Sequence, residues 1–589
     1  MMIQALVAYA ERENLGDPDF EATAIHWLLP IGLDGRMSGN PIQLHEDADA
    51  KKPQPKRLLR PFTSPNELNQ GDKSHFLADS LERALLLPNP KAPEKLENRR
   101  EPHAYFKRLL AEAAQTCPTF APRLQATLAF LDSPEELSRV HAALVEAKAK
   151  PTDNIAFQVG GVSLLDSPEL KEFWRSRRRA LRAAIPRSKH VCLATGLLTE
   201  TLDTTEKIRG VPGRLAMGTN LISFDKDSFT SYGLEQAQNA AVSAEAELKF
   251  RSALNQLIAV GLRISDAVHL HWTRDPVSTD VFALIDSADE SGVRTLLTAP
   301  EAGHPPSRIQ ANAYYAMSIS GNGGRIVVRD WLESTVPEVE TNVRKWFEAL
   351  SIISPEGTGT ACAFKMWALL AMLVAKKGGK PDYDKLPPQL PTQLLYAALR
   401  GTPLPLTALA AALRRQQIEA RDQPNPARFA LIKACLLRSP NIAPPNTQPS
   451  PDTMSECLNL ESLDAAYLSG RLFAVFDRLQ YLALGSVNSG VAERFYASAS
   501  VTPALVMGRL FRNAQFHLAK AGGGIAENVR KDFEEISCAL GDHFPPSLDL
   551  EGQGRFALGY YHQKADYRRR TAERKQQQTA EAAASIDQL

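Results

Sequence analysis

The chain has 589 residues, of which 44% are hydrophobic and 23% are charged. This composition is that of a globular protein and excludes disorder over the whole length, while the length predicts about three or four domains. Because 68 basic and 67 acidic side chains leave a net charge of +1, binding to nucleic acid through bulk positive charge is excluded, and any such binding must use local basic patches.

Six cysteines are scattered singly, and no two of them have the spacing of a metal site or a redox pair. We therefore expect no metal, no other cofactor and a location in the reducing cytoplasm. The longest apolar run, residues 366–375, is half as long as a membrane span and predicts a buried helix. The first 15 residues predict an amphipathic helix without a secretion signal, so no membrane partner is expected.

The N-terminal part of the chain predicts helices and strands in alternation. Strands are expected over residues 23–29, near Ile42 and over residues 155–159, and helices around residues 105–114 and 134–149. These elements predict a large mixed α/β body.

A polar loop follows the first strands. Its amide and ammonium groups belong to Asn66, Asn69, Gln70 and Lys73. Amide side chains pair with base edges in the grooves of DNA, which makes this loop a candidate reader of a short sequence. Asparagine, glycine and serine are also the residues that turns require, so a simple turn before a helix is the alternative.

Residues 169–184 predict a helix with a dense run of arginines. These are Arg175, Arg177, Arg178, Arg179 and Arg182. No acidic residue follows Glu172 in this helix, and neighbouring like charges repel one another unless an anion lies nearby. We expect Arg177 and Arg178 to contact phosphates, and a solvated helix face is the alternative.

Residues 207–242 combine glycine, hydroxyl, amide and basic groups more densely than any other stretch. A short strand around Ile208 is expected to run into a loop, and Ser243 is expected to cap a long helix. Such a loop offers donors and cations to a nucleic acid, and the alternative is a polar surface loop. The candidate contact residues are Lys207, Arg209, Ser231, Tyr232 and Asn239.

Residues 266–272 predict a strand, because apolar residues alternate there with His269 and His271. Two histidines could bind a metal, but no third ligand lies near them in the sequence. We therefore expect both histidines to face solvent.

A second glycine-rich stretch, residues 318–333, predicts a tight loop followed by a strand. Arg325 and Arg329 fall on one face of that strand, about 13 Å apart at the rise of a strand, which suits a row of phosphates. Asn322 in the loop is a further candidate contact. No Lys-Ser or Lys-Thr pair follows the glycines, so this stretch is not the phosphate loop of an NTPase.

Three carboxylates lie near the two glycine-rich stretches, namely Asp225, Asp227 and Asp330. A metal-dependent nuclease, or another phosphoryl-transfer enzyme acting on nucleic acid, would need such groups to hold its metal. No two of them have a recognisable metal-binding spacing. The enzyme is therefore the alternative, and we expect no catalytic residue.

Beyond residue 333 helical patterns dominate, interrupted by a proline-rich linker over residues 439–451. The basic segment 567–578 is expected to fray. The sequence thus predicts an α+β protein in three parts. They are an α+β body over residues 1–345, a helical connecting region over residues 346–440 and a C-terminal helical bundle over residues 454–589.

Five motifs, in order along residues 208–480, resemble the large subunit of the type I-C CRISPR Cascade surveillance complex. They are IRGVPG, SFDKDSFTSYGLEQAQNAAVS, SGNGGRIVVRDW, ALIKACLLR and AYLSGRLFAVFDRLQ. Together with the layout of the N- and C-terminal parts, the likeness covers nearly the whole chain.

The resemblance implies a non-catalytic protein that sits at the 5′ end of the guide CRISPR RNA. It implies recognition of the protospacer-adjacent motif in double-stranded target DNA, help in opening the duplex, and recruitment of a helicase-nuclease. The implied partner subunits are the guide-processing subunit that holds the RNA handle, the repeated backbone subunit and the small subunit. The C-terminal bundle resembles the small subunit, which such genes can also produce separately, and Met454 is the candidate internal start.

Overall fold

The computed structural model describes residues 2–586 except 16, 18, 48–52, 64–67, 69–70, 91–92, 184–188, 214–217, 278–283, 287–288, 290, 294–296, 298–311, 422, 440–453, 486, 488, 522–523 and 542–543. The chain divides into two compact units. The first comprises Met1–Val260 with Ser320–Val327, and the second comprises Gly261–Ile319 with Val328–Leu589.

The first unit contains both strands and helices. Its strands are β1 (Phe20–Ile25), β2 (Trp27–Ile31), β3 (Ile42–Gln43), β4 (Lys56–Pro61), β5 (Ala78–Ser80), β6 (Asn154–Val159), β7 (Val162–Ser163), β8 (Lys189–Val191) and β9 (Leu198–Glu200). Its helices are α1 (Met2–Arg12), α2 (Leu81–Ala84), α3 (Arg100–Thr116), α4 (Ala121–Asp132), α5 (Pro134–Glu146), α6 (Pro168–Ala183) and α7 (Ala244–Val260).

The core of the first unit is built on a five-stranded sheet of order β3-β2-β6-β5, with β7 paired to β6. β2 and β6 run parallel at its centre, and Phe157 of β6 packs against Phe106 of α3. The single strand predicted over residues 23–29 is wrong. The chain passes from one sheet to another at His26. β1 pairs with β4 in a separate two-stranded sheet, whereas β2 pairs with β6 in the five-stranded sheet.

The second unit has a four-stranded sheet followed by helices. The sheet has the order β10 (Leu262–Ile264), β11 (Ala267–Thr273), β12 (Ala313–Asn322) and β13 (Arg325–Thr335), and β14 (Ile352–Ile353) with β15 (Thr360–Ala361) and β16 (Lys376–Lys377) with β17 (Lys380–Pro381) form small pairs. The helices are α8 (Val336–Leu350), α9 (Met366–Ala371), α10 (Leu390–Arg400), α11 (Leu406–Ile418), α12 (Pro426–Leu437), α13 (Ala465–Leu484), α14 (Val491–Val501), α15 (Pro503–Lys520), α16 (Gly524–Leu540) and α17 (Leu550–Ile586). The predicted α+β class, with an α/β N-terminal region and a helical C-terminal region, is confirmed.

Among the described residues, one hydrophobic cluster lies mainly in the connecting region of the second unit and another lies in its C-terminal bundle. One is formed mainly by α8 to α12 and includes Phe347 and Phe429, and the other lies within the C-terminal bundle and includes Phe473 and Phe556. Tyr561 of α17 belongs to the first cluster, where its ring stacks on Phe429 at 4.4 Å. The last helix therefore contributes to both cores.

Three local predictions for this unit are wrong. The helix expected over residues 366–375 ends at Ala371, and a lysine-rich hairpin follows. The segment 567–578 is not frayed but continues α17, and Arg570 holds Asp532 of α16 at 2.9 Å. His269 does not face solvent, because β11 lies inside the sheet between β10 and β12 and its side chain is 1% exposed.

Among the described residues, no helix is long and apolar enough to cross a membrane.

Candidate nucleic-acid interface

The stretch that carries most candidate residues is an irregular loop, not the strand expected around Ile208. Ile208 and Thr219 exchange two backbone hydrogen bonds of 2.7 and 3.0 Å and form an isolated bridge. Two short 3₁₀ turns follow, at Asp227–Phe229 and Gln236–Ala240. Ser243 caps α7 as predicted, its Oγ accepting from the amide of Ala246 at 3.2 Å.

Backbone hydrogen bonds join the two glycine-rich stretches, which lie about a hundred residues apart in the sequence. The amide of Gly321 donates to Pro212 O (2.6 Å), the amide of Asn220 to Gly324 O (2.8 Å) and the amide of Ile326 to Asn220 O (2.9 Å). Gly213 has a φ of +72°, and a Cβ there would lie 2.8 Å from the carbonyl oxygen of Gly321, so only glycine permits this approach. We call residues 207–213, 218–243 and 320–327 the glycine junction.

Arg325 lies at the centre of the glycine junction. Its guanidinium pairs with Asp225 and lies 4.5 Å from the centre of the Phe229 ring, which meets Phe224 edge to face. A hydrogen bond from its own backbone amide and the Arg325 guanidinium both lower the pKa of Asp225. The side chains of Arg325 and Asp225 are 39% and 64% exposed, so solvent screens the pair and it contributes little to stability. A phosphate can therefore replace this carboxylate.

Tyr232 occupies the tip of a tight turn in the same junction. It has a φ of +51° and Gly233 has a φ of +74°, while the amide of Leu234 donates to Ser231 O at 2.9 Å. The side chain of Tyr232 is fully exposed. A bulky residue in the left-handed region costs of order 1–3 kcal/mol, and here the turn presents an aromatic face that could stack on a nucleic-acid base.

The remaining candidate residues of the glycine junction differ in their exposure and in their hydrogen bonds within the protein. Arg209 and Asn322 are exposed, and Lys207 is half-buried. The side-chain amide of Asn239 donates to the carbonyl oxygens of Leu234 (3.0 Å) and Gln236 (3.1 Å), so its donors hold the loop.

Two arginines of α6 form ion pairs with carboxylates elsewhere in the first unit. Arg175 pairs with Asp17 at 2.8 Å and Arg177 with Glu112 at 2.9 Å. Arg178 lies 5.9 Å from the Trp174 ring. Arg179 is exposed and has no ion pair with any described residue.

Lys73 and Arg108 meet at the ring of Tyr105 of α3, although Lys73 lies far from both in the sequence. Lys73 Nζ is 4.8 Å and Arg108 Cζ is 5.2 Å from the centre of the Tyr105 ring. Sequence reasoning missed Arg108. Asn66, Asn69 and Gln70, which precede Lys73, lie outside the described residues.

Arg329 and two carboxylates of the alternative enzyme, Asp225 and Asp330, form ion pairs within the protein. In the second unit Arg329 pairs with Asp266, and Arg400 holds Asp330 at 2.5 Å. In the first unit Asp225 pairs with Arg325. No group of three histidine, cysteine or acidic residues that could hold a metal ion occurs in the described part of the chain.

A groove of about 930 Å³ lies along the C-terminal bundle of the second unit, and sequence reasoning did not identify it. Its cationic lining residues are Arg421, Arg478, Lys564, Arg568 and Lys575. Tyr481 is 58% exposed at the groove, with the Arg478 guanidinium 5.6 Å from its ring. Arg478 and Tyr481 are three residues apart on α13, a spacing that places their side chains next to each other on the helix. This spacing was the signal in the sequence for an arginine beside an aromatic ring. We call this feature the bundle groove.

A family model described as CRISPR-associated protein (Cas_Csd1) matches residues 5–568, nearly the whole chain. The protein is therefore a CRISPR-associated protein of a Cascade complex. More specifically, it belongs to the Csd1 family, the large subunit of the type I-C Cascade complex, which confirms the resemblance of the five motifs. No curated protein matches the chain.

Proposed function

We propose that the chain is the non-catalytic subunit that recognises the protospacer-adjacent motif, helps to open the target duplex and recruits the helicase-nuclease. The observation that carries this proposal is the glycine junction. Its backbone hydrogen bonds bring the exposed Arg325–Asp225 ion pair and the turn that exposes Tyr232 into the same compact unit. Such groups suit phosphate contact and base stacking.

Duplex binding begins with phosphates. Arg325 exchanges the Asp225 carboxylate for a phosphate oxygen, and the exposed Arg209 adds a second cation. The amides of Asn66, Asn69 and Gln70 read the short motif, while Lys73 beside Tyr105 contacts the adjacent backbone. The guide CRISPR RNA reads the rest of the target by base pairing, with its 5′ end on this subunit.

Strand separation follows from an aromatic group held out on a tight turn. Tyr232 inserts beside an opened base pair and stacks on an unpaired base, an interaction worth about 1–3 kcal/mol per base. The bundle groove then holds a displaced single strand, because it combines five cations with the exposed Tyr481.

The subunit works in the cytoplasm within a complex. Its protein partners are the guide-processing subunit, the repeated backbone subunit and the small subunit, which the C-terminal bundle resembles. Asp225 and Asp330, two of the three carboxylates suggested for an enzyme, pair with arginines, which supports a non-catalytic subunit.

The Arg325–Asp225 pair tests this function. In the assembled complex, Arg325→Gln should weaken binding to a motif-bearing duplex and flatten the log-log salt dependence by about 0.9, the value for one lost phosphate contact. Asp225→Asn is the matched control, because it frees Arg325 without removing a cation. It should leave the slope unchanged or steepen it. An unchanged slope in Arg325→Gln contradicts the phosphate role.

A further inference from the structure

The hairpin of β16 and β17 in the second unit, residues 375–382, carries lysines around a two-glycine tip. Gly378 and Gly379 have φ values of +58° and +81°, as the tight hairpin turn between two twisted strands requires. Lys377 pairs directly with Lys380 across the ladder, and Lys376 pairs with Pro381. We call this feature the lysine hairpin.

The charges of the lysine hairpin have no partner in the described part of the protein. Lys376, Lys377 and Lys380 are exposed, and none forms an ion pair with a described residue. Like charges directly opposite one another destabilise a strand pair. Lysines on an edge strand also prevent that strand from pairing with another chain. This protection does not require two lysines directly opposite each other.

The lysine hairpin is fixed to the core of its unit. The amide of Asp382 donates to Ala375 O at 2.9 Å, which closes the hairpin at its base. On either side of it, Val374 is buried and Tyr383 packs edge to face on Trp367 with the ring centres 5.1 Å apart. The ammonium groups are therefore presented on a short, anchored support.

The chemistry of the lysine hairpin selects its ligand. Residues 375–382 include no aromatic side chain that could stack on unpaired bases, and no amide side chain that could read base edges. Lysine ammonium groups act as point charges for phosphates, and glycines at the tip permit close approach of another backbone. We propose that the lysine hairpin binds the phosphate backbone of double-stranded DNA without reading its sequence. The proposal rests on the proposed function, since it takes the target duplex as the ligand.

Salt-dependent binding of the full chain to a labelled duplex of random sequence tests the proposal. Lys377→Gln with Lys380→Gln should flatten the log-log slope by about 1.8, the value for two lost phosphate contacts. Lys345→Gln with Lys365→Gln removes the same charge from exposed positions elsewhere in the unit and should leave the slope near that of the native chain. Lys377→Arg with Lys380→Arg keeps the charge and should retain the native slope.

Several outcomes overturn the proposal. An unchanged slope in the Lys377→Gln, Lys380→Gln variant is one. An equal decrease of the slope in the Lys345→Gln, Lys365→Gln control is another, because it would show that net charge alone determines the slope. Normal DNA binding with failed assembly into the complex would assign the hairpin to a protein partner. If Arg325→Gln flattens the slope while the hairpin variant does not, the lysine hairpin fails and the proposed function stands. The absence of any salt-dependent duplex binding by the native chain overturns the lysine hairpin proposal, whereas the proposed function is decided by the Arg325→Gln measurement in the assembled complex.

Discussion

Arginine side chains of this protein act in pairs whose strength depends on their burial. Arg325 and Asp225 are both largely exposed, so the pair contributes little to stability and remains exchangeable. Arg471, in contrast, is 1% exposed inside the bundle and donates to Gln563 at 3.0 Å. Replacing Arg471 would leave the buried Gln563 Oε1 without its hydrogen-bond donor, which destabilises the fold. Replacing Arg325 would mainly weaken the binding of an anion at the glycine junction.

His269 makes stability depend on pH. Burial, and then the nearby Arg329 charge, lower its pKa to about 4, so the folded chain holds it neutral where the unfolded chain takes up a proton. The stabilisation is complete above the unfolded pKa of about 6.5 and is lost as the pH falls from there towards 4. Between pH 7.5 and 5 we expect the second unit to lose about 2 kcal/mol through this residue.

Thermal unfolding of variants at the two pH values checks the role of His269. His269→Gln should reduce the fall in melting temperature between pH 7.5 and 5. Ser318→Ala removes the hydroxyl that contacts His269 Nδ1 but keeps the imidazole, so its pH dependence should persist. If His269→Gln retains the full dependence, other groups carry it.

At the scale of elements, α13 and α17 cross at unusually close range. A Cβ at Gly470 of α13 would lie 1.9 Å from Phe556 O, and one at Gly559 of α17 would lie 2.1 Å from Tyr467 O. Each glycine therefore lets the backbone of the other helix approach. The sequence GRLF that contains Gly470 occurs again on α15, where Gly508 has no atom within 4 Å of an added Cβ.

The two GRLF copies provide a matched pair of substitutions. Gly470→Ala should destabilise the bundle by about 1–3 kcal/mol, because the helices must separate. Gly508→Ala should stabilise it by about 0.4–1 kcal/mol, because alanine favours the helix and restricts the unfolded chain. Denaturant unfolding measures both, and equal effects would show that the close crossing does not limit packing.

At the scale of the whole molecule, the C-terminal bundle has a core of its own but shares one face of α17 with the connecting helices. Tyr561 stacks on Phe429, and its hydroxyl donates to Ile353 O at 2.7 Å. The predicted separate product from Met454 would expose this face. Its helices nevertheless pack on one another around a hydrophobic cluster of their own, which favours independent folding.

We predict that residues 454–589, expressed alone, form a helical product with a cooperative melt. In that fragment Tyr561→Gln should improve solubility at little cost, because the ring has lost its partner. In the full chain the same change should destabilise the second unit by about 3 kcal/mol. Circular dichroism and thermal scans distinguish these results, and an unstructured or aggregating fragment in both forms would show that residue 454 does not begin a domain.

Local patterns in the sequence predicted much of the framework. The cap at Ser243, the long helix that it begins and the turn glycines before β13 depend on interactions over a few residues, so their structures follow from the sequence alone. The five motifs likewise indicated the family, because their order is a property of the sequence.

Only the tertiary structure decided which residues act together. Arg177 pairs with Glu112, Arg325 with Asp225, and His269 is enclosed by strands on both sides, although nothing local marks these partners. The strand expected over residues 23–29 breaks for the same reason, since its two halves join different sheets. Periodicity and capping determine an element within itself, whereas long-range packing determines which charges are neutralised, which faces are buried and which loops meet.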